Sequence, residues 1–429
     1  MTASAFPDKE QLEAHQLAQL RALIGELLQG NRFYSSRLLE AGITTEIASL
    51  DEFSRKMPFT YKTELVKDQQ ENPPYGTNLT YPLSRYTRFN QTSATTGSPM
   101  RWLDTHETWE WMLGNWGQVF QAAGVSAKDH LYFAFSFGPF LGFWTAFESA
   151  LRIGCLCIPG GGLSSAARVN AILDNDTTVL CCTPTYAIRL AEVAFEEQID
   201  LSRSKVKTII VAGEAGGSIP ATRARIESMW PGARVFDHHG MTEIGPVSFE
   251  CPSQAGTLHI IESSYYAEII DPESGEPVEP YETGELVLTN LGRGAMPILR
   301  YRTGDLVVLA PESPCACGRY DMALPGGILA RTDDMVVVRG VNIFPSAIET
   351  IMRKCEGVGD YRVLVQTKRS MTELELEVEP EAGWSDMAAL IEALEREMRA
   401  AFALRIPVRL VEQGTLPRFE MKAKRWVRV

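Results

Sequence analysis

The spacing of hydrophobic residues changes along the chain, and each spacing predicts a different kind of element. Within residues 8–28, Leu20, Leu23 and Leu27 recur at helical spacing and predict an amphipathic opening helix. From about residue 80 to 240, short apolar runs alternate with helical segments, as is typical of an α/β domain with a mostly parallel or mixed sheet. The runs that predict strands are Leu131–Phe135, Val179–Cys182, Thr208–Ala212 and Val235–Asp237.

The pattern of predicted elements changes after this region. Between Leu258 and Leu309, strand-like runs such as Gly284–Leu291 follow one another with little helix between them. We therefore expect a β-rich subdomain at about residues 251–330.

The last hundred residues predict a small α+β unit. The run Thr372–Glu379 (TELELEVE) alternates like a strand, and residues 386–402 repeat at helical spacing. Ser346 and Glu349 have the spacing of a capping box that opens a short helix. We expect an α/β protein with a large N-terminal domain at residues 1–332 and a small C-terminal domain at residues 333–429.

Composition narrows the range of functions. The chain has 429 residues, of which 45% are apolar and 22% charged, so it is an ordinary globular protein rather than a disordered one. Its 41 Lys and Arg residues against 54 Asp and Glu residues give a net charge of −13. Binding of nucleic acid relies on basic patches, so we expect no nucleic-acid partner. Small anions remain open as ligands, because local backbone donors bind them independently of net charge.

Three features predict a cytoplasmic protein without a membrane span. The N-terminus lacks the basic start and apolar core of a secretory signal. The most apolar stretch, Leu131–Phe147, contains Gly and Pro and is shorter than the roughly 20 residues of a membrane-spanning helix. Eight cysteines in such a chain indicate reduced thiols or a metal rather than disulfides.

The loop Gln91–Met100 (QTSATTGSPM) is the first candidate for ligand binding. It places Thr92, Ser93, Thr95 and Thr96 beside Gly97, and small hydroxyl residues next to glycine offer donors that can surround phosphate oxygens. It lacks the lysine of a Walker P-loop. An ordinary surface loop is the alternative interpretation.

Five later motifs give this loop its context. They occur in the order AGEAGG (212–217), DHHGMTE (237–243), YRTGD (301–305), ARTDDMVVVRGVNIFP (330–345) and LPRFEMKAKR (416–425). In this order the set resembles the adenylate-forming superfamily of acyl- and aryl-CoA synthetases, and within it the phenylacetate–CoA ligase branch. The resemblance implies a large α/β domain with a β subdomain, followed by a small mobile α+β domain.

The resemblance also implies an ATP site. The loop Thr92–Pro99 would hold the β- and γ-phosphates, and Glu214 with Asp237 would line the adenine pocket. Asp305 would accept hydrogen bonds from the ribose hydroxyls, with Arg331 on the ribose or phosphate side.

The same resemblance assigns the catalytic groups. Thr242 would contact the α-phosphate, Glu243 would hold Mg²⁺, and Lys422 would be the lysine of the adenylation step. A cation is needed there because a carboxylate attacks an already negative phosphate. A solvated lysine in a basic tail, next to Lys424, is the alternative. Asp333 would be the hinge between the domains, and the segment around Gly340 would line the channel for coenzyme A.

The acid pocket is expected where an aromatic loop follows the strand at Leu131. The loop Phe135–Trp144 is rich in Phe and Gly, and α/β sheets bind ligands at the carboxyl ends of their strands. An aromatic wall suits a flat aryl acid, although such residues also serve as core. The candidate contacts are Phe135, Phe137, Phe140, Ala212, Gly213, His239, Gly240 and Met241.

A second candidate site contains sulfur ligands. Cys315 and Cys317 form a close thiol pair, and Cys251 with His259 flanks a turn in the predicted β subdomain. Three cysteines and one histidine are a ligand set of structural zinc. Unconnected buried thiols are the alternative interpretation.

These features lead to the hypothesis of an enzyme that uses ATP and Mg²⁺ to convert an aromatic acid to an aryl adenylate. The acid would be of the benzoate, phenylacetate or amino- or hydroxybenzoate type, and coenzyme A would then take the aryl group. Transfer to a carrier-protein phosphopantetheine, an amine or an internal nucleophile stays open, as does a non-catalytic nucleotide-binding protein. A homodimer is open as well. Four residues depart from the usual family pattern: Ala94, Ser98, His239 and Met421.

Overall fold

The computed structural model of the chain describes residues 8–92, 99–311, 314–332, 334, 336–338, 341–368, 371–419 and 424–429. Its helices are α1 (Lys9–Gly30), α2 (Arg32–Glu40), α3 (Leu50–Lys56), α4 (Lys62–Glu71), α5 (His106–Ala122), α6 (Leu141–Ile153), α7 (Ser165–Asp174), α8 (Pro184–Glu196), α9 (Pro220–Met229), α10 (Pro345–Lys354) and α11 (Met387–Phe402).

The strands of the first two thirds of the chain are β1 (Tyr86–Gln91), β2 (Arg101–Thr105), β3 (His130–Phe133), β4 (Leu156–Pro159), β5 (Val179–Cys182), β6 (Thr208–Val211), β7 (Arg234–Asp237), β8 (Gly240–Met241), β9 (Gly245–Pro246), β10 (Ser248–Cys251), β11 (Gln254–Ile260), β12 (Tyr265–Ile270) and β13 (Thr283–Asn290). Those of the last third are β14 (Tyr301–Val308), β15 (Ala323–Pro325), β16 (Ala330–Arg331), β17 (Val336–Val338), β18 (Val341–Ile343), β19 (Val358–Lys368), β20 (Met371–Pro380), β21 (Val408–Leu410) and β22 (Trp426–Arg428).

A five-stranded parallel sheet forms the centre of the α/β region, in the order β4-β3-β5-β6-β7. Side chains alternate across it: Leu131 and Phe133 enter the core shared with α5 and α6, whereas Tyr132 enters the core shared with α7 and α8. Burial on both faces explains why these strands are continuous apolar runs. The α/β class predicted from the sequence is confirmed.

The following segment, expected to be rich in strands, contains two antiparallel sheets. One has the order β10-β11-β15, and the other has the order β12-β13-β14-β16. Their apolar faces join the same core as the parallel sheet, through residues such as Phe249, Leu286 and Val307. The antiparallel strands thus pack directly onto the α/β region.

The last part of the chain builds a separate core. The mixed sheet β21-β20-β19-β22 carries α10 and α11, and a hairpin of β17 and β18 precedes it. The buried residues of this core extend from Val336 to Ile406. Among the residues that the structure describes, no helix is both long and apolar enough to cross a membrane.

The capping box expected at Ser346 and Glu349 is wrong. Helix α10 begins two residues earlier than this box requires, at Pro345, and its N-cap Phe344 makes no side-chain hydrogen bond. Proline at the first helical position needs no donor there, which makes this start favourable. Glu349 instead pairs with Arg353, and Tyr361 donates a hydrogen bond to it.

A buried ion pair connects β2 to the antiparallel region. Arg293 donates two parallel hydrogen bonds to Asp104, at 2.7 and 2.6 Å, and neither side chain is exposed. The remaining guanidinium nitrogen donates to the backbone carbonyls of Thr242 (2.8 Å) and Glu243 (3.1 Å). All three guanidinium nitrogens of Arg293 therefore have hydrogen-bond acceptors, and its charge is paired with that of Asp104 inside the core.

We expect Arg293→Met to lower the free energy of unfolding by about 3–5 kcal/mol, because it leaves Asp104 as a buried, unpaired charge. Chemical denaturation measures this change. The double variant Arg293→Met/Asp104→Leu should recover part of the loss. As a control, Arg55→Met removes an exposed pair with Asp51 and should cost less than about 1 kcal/mol. Equal losses for Arg293→Met and Arg55→Met would contradict this account.

Candidate active site

Three of the predicted residues meet around one buried carboxylate. Asp305 lies on β14, and its Oδ1 is 3.1 Å from Nη1 of Arg331 on the paired strand β16. The ring Nε2 of His239 lies 3.0 Å from Oδ2, yet Oδ2 accepts no well-aligned hydrogen bond, and Nδ1 of His239 is buried without a partner. A guanidinium and an imidazole thus flank this carboxylate on its two oxygens.

Thr242 and Glu243 lie in the turn between β8 and β9, held from inside by Arg293. Sequence reasoning missed a partner on the outside: Nζ of Lys62, the first residue of α4, is 3.0 Å from the buried carboxylate of Glu243. Nothing in the pattern around Lys62 distinguishes it from a surface lysine. Its role depends on tertiary packing alone.

Tyr301 connects these two carboxylates. Burial raises the pKa of this phenol, and the negative charges of Glu243 and Asp305 raise it further. Tyr301 and Asp305 both lie on β14.

The hydroxyl-rich loop is closed at its base by Thr92. The backbone N–H of Thr92 donates to the carbonyl of Met100 (2.9 Å), and the backbone N–H of Met100 donates to Oγ1 of Thr92 (3.0 Å). The predicted phosphate contacts Ser93, Thr95, Thr96 and Gly97 lie outside the described residues. So do the predicted hinge Asp333, the coenzyme A contact Gly340 and the catalytic lysine Lys422.

The predicted adenine residues lie at the carboxyl edge of the parallel sheet. Oε1 of Glu214 accepts a hydrogen bond from the backbone N–H of Thr185 in the first turn of α8 (2.8 Å). Asp237 ends β7 and accepts a hydrogen bond from the hydroxyl of Ser218 (2.5 Å), while burial raises its pKa. Ala212 and Gly213 follow β6 at the same edge, where α/β sheets bind ligands.

The aromatic loop lies beside the base of the hydroxyl-rich loop. The carbonyl of Pro139 accepts a hydrogen bond from the backbone N–H of Gln91, one residue before Thr92. Phe137 has a φ of +52°, which is uncommon for a residue other than glycine, and its ring packs edge-on against Trp144 and Phe147.

Two other predicted pocket residues contribute to the same wall. Phe135 and Met241 are half-buried and pack against the core that this wall shares with α5. Phe140 caps α6, and Gly240 lies on β8. The predicted acid-pocket residues thus come from the loops that follow β3, β6 and β7.

His238 is a second functional candidate that the sequence analysis missed, although its neighbour His239 was included. Its ring stacks at a tilt on Trp116, with centroids 4.3 Å apart, and Nδ1 lies 2.6 Å from the carbonyl of Ser248. Since a carbonyl only accepts, Nδ1 carries the proton. Burial lowers the pKa of His238 to about 3, so the ring is neutral behind the site.

The four predicted sulfur and nitrogen ligands are brought together. The ligand atoms of Cys251, His259, Cys315 and Cys317 all lie within 4.8 Å of one another. The Sγ atoms of Cys251 and Cys315 are 3.6 Å apart, and Sγ of Cys317 is 3.4 Å from Nε2 of His259. Nδ1 of His259 donates a hydrogen bond to the carbonyl of Asp321 (3.0 Å). The lone pair of the ring therefore lies on Nε2, the nitrogen that faces the sulfur atoms.

Comparison with known proteins identifies the class of protein. A family model for the AMP-binding enzymes matches residues 87–296, and one for the C-terminal domain of AMP-binding enzymes matches residues 340–428. Fold and site thus define an AMP-binding, adenylate-forming enzyme.

The relatives narrow the class. Phenylacetate–coenzyme A ligase of Thermus thermophilus is 30% identical over 96% of this chain and 95% of its own length. The phenylacetate–coenzyme A ligase of Pseudomonas putida is 31% identical over 96% and 93%. The chain belongs to the phenylacetate–coenzyme A ligase family of AMP-forming enzymes, which confirms the resemblance and the enzyme class predicted from its motifs.

Two crystal structures of one related ligase, in two states of its reaction, can be compared with this structure. The crystal structure of a 2-hydroxyisobutyryl-CoA ligase in its postadenylation state is 27% identical and has a TM-score of 0.91, covering 98% of this chain and 90% of the other. The same ligase in its thioesterification state, with equal coverage, has a TM-score of 0.73. The arrangement of this chain is therefore the nearer to the postadenylation state.

The buried His238 predicts a pH dependence of stability. Because its folded pKa of about 3 lies below the ordinary value of 6.5, only the unfolded chain takes up the proton between these values. Stability is fully present above pH 6.5 and falls as the pH drops towards 3, by up to about 1.4 kcal/mol per pH unit from this group. We expect His238→Gln to lose this part of the dependence.

Denaturant unfolding of both proteins from pH 7 to pH 4 measures the effect. The stability advantage of the wild type over His238→Gln should shrink as the pH falls. The exposed His106 offers a matched control, since His106→Gln should leave the pH dependence unchanged. Parallel curves for the wild type and His238→Gln would show that His238 does not contribute.

Proposed function

We propose that this protein activates an aromatic carboxylic acid with ATP and transfers the aryl group to coenzyme A. The observation that carries the proposal is the buried carboxylate of Asp305, which lies between the guanidinium of Arg331 and the ring of His239. Glu243 is also buried and lies in the turn between β8 and β9, next to Thr242. Family membership supports the same chemistry, because the relatives are named as phenylacetate–coenzyme A ligases.

In the first step, an oxygen of the acid attacks the α-phosphorus of ATP, and the bond to the β-phosphate oxygen breaks. This gives an aryl adenylate and pyrophosphate. Asp305 and Arg331 hold the ribose, Glu214 and Asp237 line the adenine, and the loop that begins at Thr92 holds the leaving phosphates.

Three residues contribute to stabilising the negative charge at the reacting phosphate. Thr242 donates to the α-phosphate, and Lys422 supplies a cation to the oxygens on which charge grows. Glu243 is a suitable oxygen ligand for Mg²⁺, which when bound neutralises phosphate charge. Lys62 already pairs with Glu243 at 3.0 Å and so helps to hold this buried carboxylate in place.

In the second step, the sulfur of coenzyme A attacks the acyl carbon of the adenylate, and AMP leaves. We propose a domain boundary between residues 332 and 333, with Asp333 as hinge and the segment around Gly340 lining the thiol channel. The separate core that begins at Val336 supports this boundary. The two TM-scores against one ligase in two states support a motion between the steps.

The acid is proposed to be aromatic because the wall around Phe137 is built from aromatic rings. His239, with a buried and unpartnered Nδ1, favours an acid with a polar substituent such as an amino- or hydroxybenzoate.

A carrier-protein phosphopantetheine, an amine or an internal nucleophile are the other acceptors to be tested. The proposed assembly is a homodimer, which is also to be tested. The proposed location is the reducing cytoplasm. It is consistent with the eight cysteines, all of which the structure describes and none of which forms a disulfide.

Cys251, His259, Cys315 and Cys317 are proposed to hold a structural zinc ion. Tetrahedral Zn–S bonds of about 2.3 Å place two sulfurs about 3.8 Å apart, close to the observed 3.6 Å. Burial and the neighbouring Cys315 raise the pKa of Cys251 to about 12, and a bound dication would reverse this by pairing with thiolates. The bond from His259 to Asp321 fixes the tautomer that a metal needs.

Pyrophosphate release across a panel of aromatic, aliphatic and 2-hydroxy acids, with and without coenzyme A, tests the proposed reaction. We expect release with a benzoate- or phenylacetate-type acid and a coenzyme A thioester by mass spectrometry. Lys422→Ala should slow acid-dependent release about 10²–10³-fold while ATP still binds, and Lys424→Ala should not. Release without a thioester would move the acceptor elsewhere, and no release with any acid would contradict the ligase.

Elemental analysis of the purified protein tests the zinc site. We expect one zinc ion per chain, lost together with several degrees of melting temperature in Cys251→Ser or Cys317→Ser, because a structural metal stabilises the folded state. Cys355 is a half-buried thiol outside the cluster, so Cys355→Ser should keep the metal. A metal-free protein whose melting temperature does not change with added zinc would contradict the proposal.

A further inference from the structure

One carboxylate holds both ends of the tail segment that contains Lys422. Oδ2 of Asp360, on β19, lies 3.4 Å from Nη1 of Arg418, and Oδ1 lies 3.2 Å from Nε and Nη2 of Arg425. Residues 420–423 lie outside the described residues, and these two arginines flank them. Oδ1 also accepts the backbone N–H of Tyr361 (2.9 Å).

The arrangement is too buried to be an incidental surface contact. The side chains of Asp360 and Arg425 are 15% and 9% exposed, and the guanidinium of Arg425 stacks over the ring of Tyr361, 5.1 Å from its centroid. Arg418 also donates to Glu379, which is 1% exposed and accepts the backbone N–H of Gly414. Removing the charge of Asp360 would leave two like-charged guanidinium groups next to each other.

Arg425 extends the arrangement to the nucleotide side of the site. Its Nη1 lies 3.4 Å from Oγ1 of Thr185, at the start of α8. The backbone N–H of the same Thr185 donates to Glu214, the proposed adenine residue. Arg425 thus contacts the first turn of α8, which also binds the proposed adenine residue Glu214.

We propose that Asp360 is a positioning residue for adenylation: by holding Arg418 and Arg425 it fixes the ends of the segment that presents Lys422. This rests on the proposed role of Lys422. The positions of a short segment's ends limit where a side chain within it can reach, and misplacing a catalytic group by about 1 Å can cost about 10²-fold in rate.

Asp360→Asn keeps the shape but offers one acceptor oxygen in place of two. We expect it to slow adenylation about 10–100-fold, measured as acid-dependent pyrophosphate exchange, with the KM for ATP changed less than about twofold. The second half-reaction, from supplied aryl adenylate and coenzyme A, does not use Lys422 and should change less than about twofold. In the Lys422→Ala background, Asp360→Asn should cause no further loss, because it acts through that lysine.

Glu377 provides a matched control on the same sheet. It is 3% exposed and pairs with two arginines, Arg362 and Arg409, neither of which flanks Lys422. Glu377→Gln therefore removes an equivalent charge and should lower stability while both half-reactions continue at their normal rates.

The outcomes separate this inference from the proposed function. If Asp360→Asn and Glu377→Gln slow adenylation equally, or if Asp360→Asn slows both half-reactions, the effect is on folding and the inference is wrong. If Lys422→Ala slows adenylation but Asp360→Asn does not, the inference alone fails. If Lys422→Ala leaves adenylation intact, the proposed role of the lysine fails, and the inference falls with it.

Discussion

The candidate site depends on the buried ion pair between Arg293 and Asp104. Neither side chain is exposed, so each charge is stabilised only by the other and by nearby dipoles. Because Arg293 also binds the carbonyls of Thr242 and Glu243, the pair fixes the turn that carries the proposed catalytic residues. The same pair joins this turn to β2, which follows the hydroxyl-rich loop. The strand after the proposed phosphate-binding loop and the turn with the proposed catalytic residues therefore share one buried support.

Carboxylates oriented by guanidinium groups recur throughout the site. Arg331 lies against Asp305, Arg293 against Asp104, and Arg418 with Arg425 against Asp360. This pattern reconciles a net charge of −13 with a proposed site for an anionic acid and a polyphosphate. Local pairing neutralises the acidic groups nearest the ligand, so overall charge says little about what the site binds.

Much of the scaffold follows from the sequence, whereas several contacts do not. The strand at Val179–Cys182 was predicted at its observed bounds, because a run buried on both faces must be apolar. Lys62, Arg293 and His238 were missed, since their roles depend on partners far away in the chain. The predicted capping box failed because Pro345 provides an equally good helix start. The spacing of apolar residues predicts local elements such as strands. Polar contacts between residues far apart in the chain produce no such pattern in the sequence.

The contacts between the C-terminal core and the rest of the chain differ in kind from those within it. Within that core, Asp360, Glu377 and Glu379 each bind arginine or backbone donors while largely buried. Across to α8 and α9, Arg425 reaches Thr185 at 3.4 Å, and Arg225 reaches the half-exposed Glu381 at 3.3 Å. Water can replace such long polar contacts at little cost, because partly exposed pairs contribute little stability.

A unit that is rigid inside and weakly attached outside can change its position without changing its shape. This property is what two reactions at one site require. The first needs the segment with Lys422 at the phosphate, and the second needs room for a thiol. With the proposed role of Asp360, which would attach that segment firmly to its own unit, a single rigid-body movement would meet both demands.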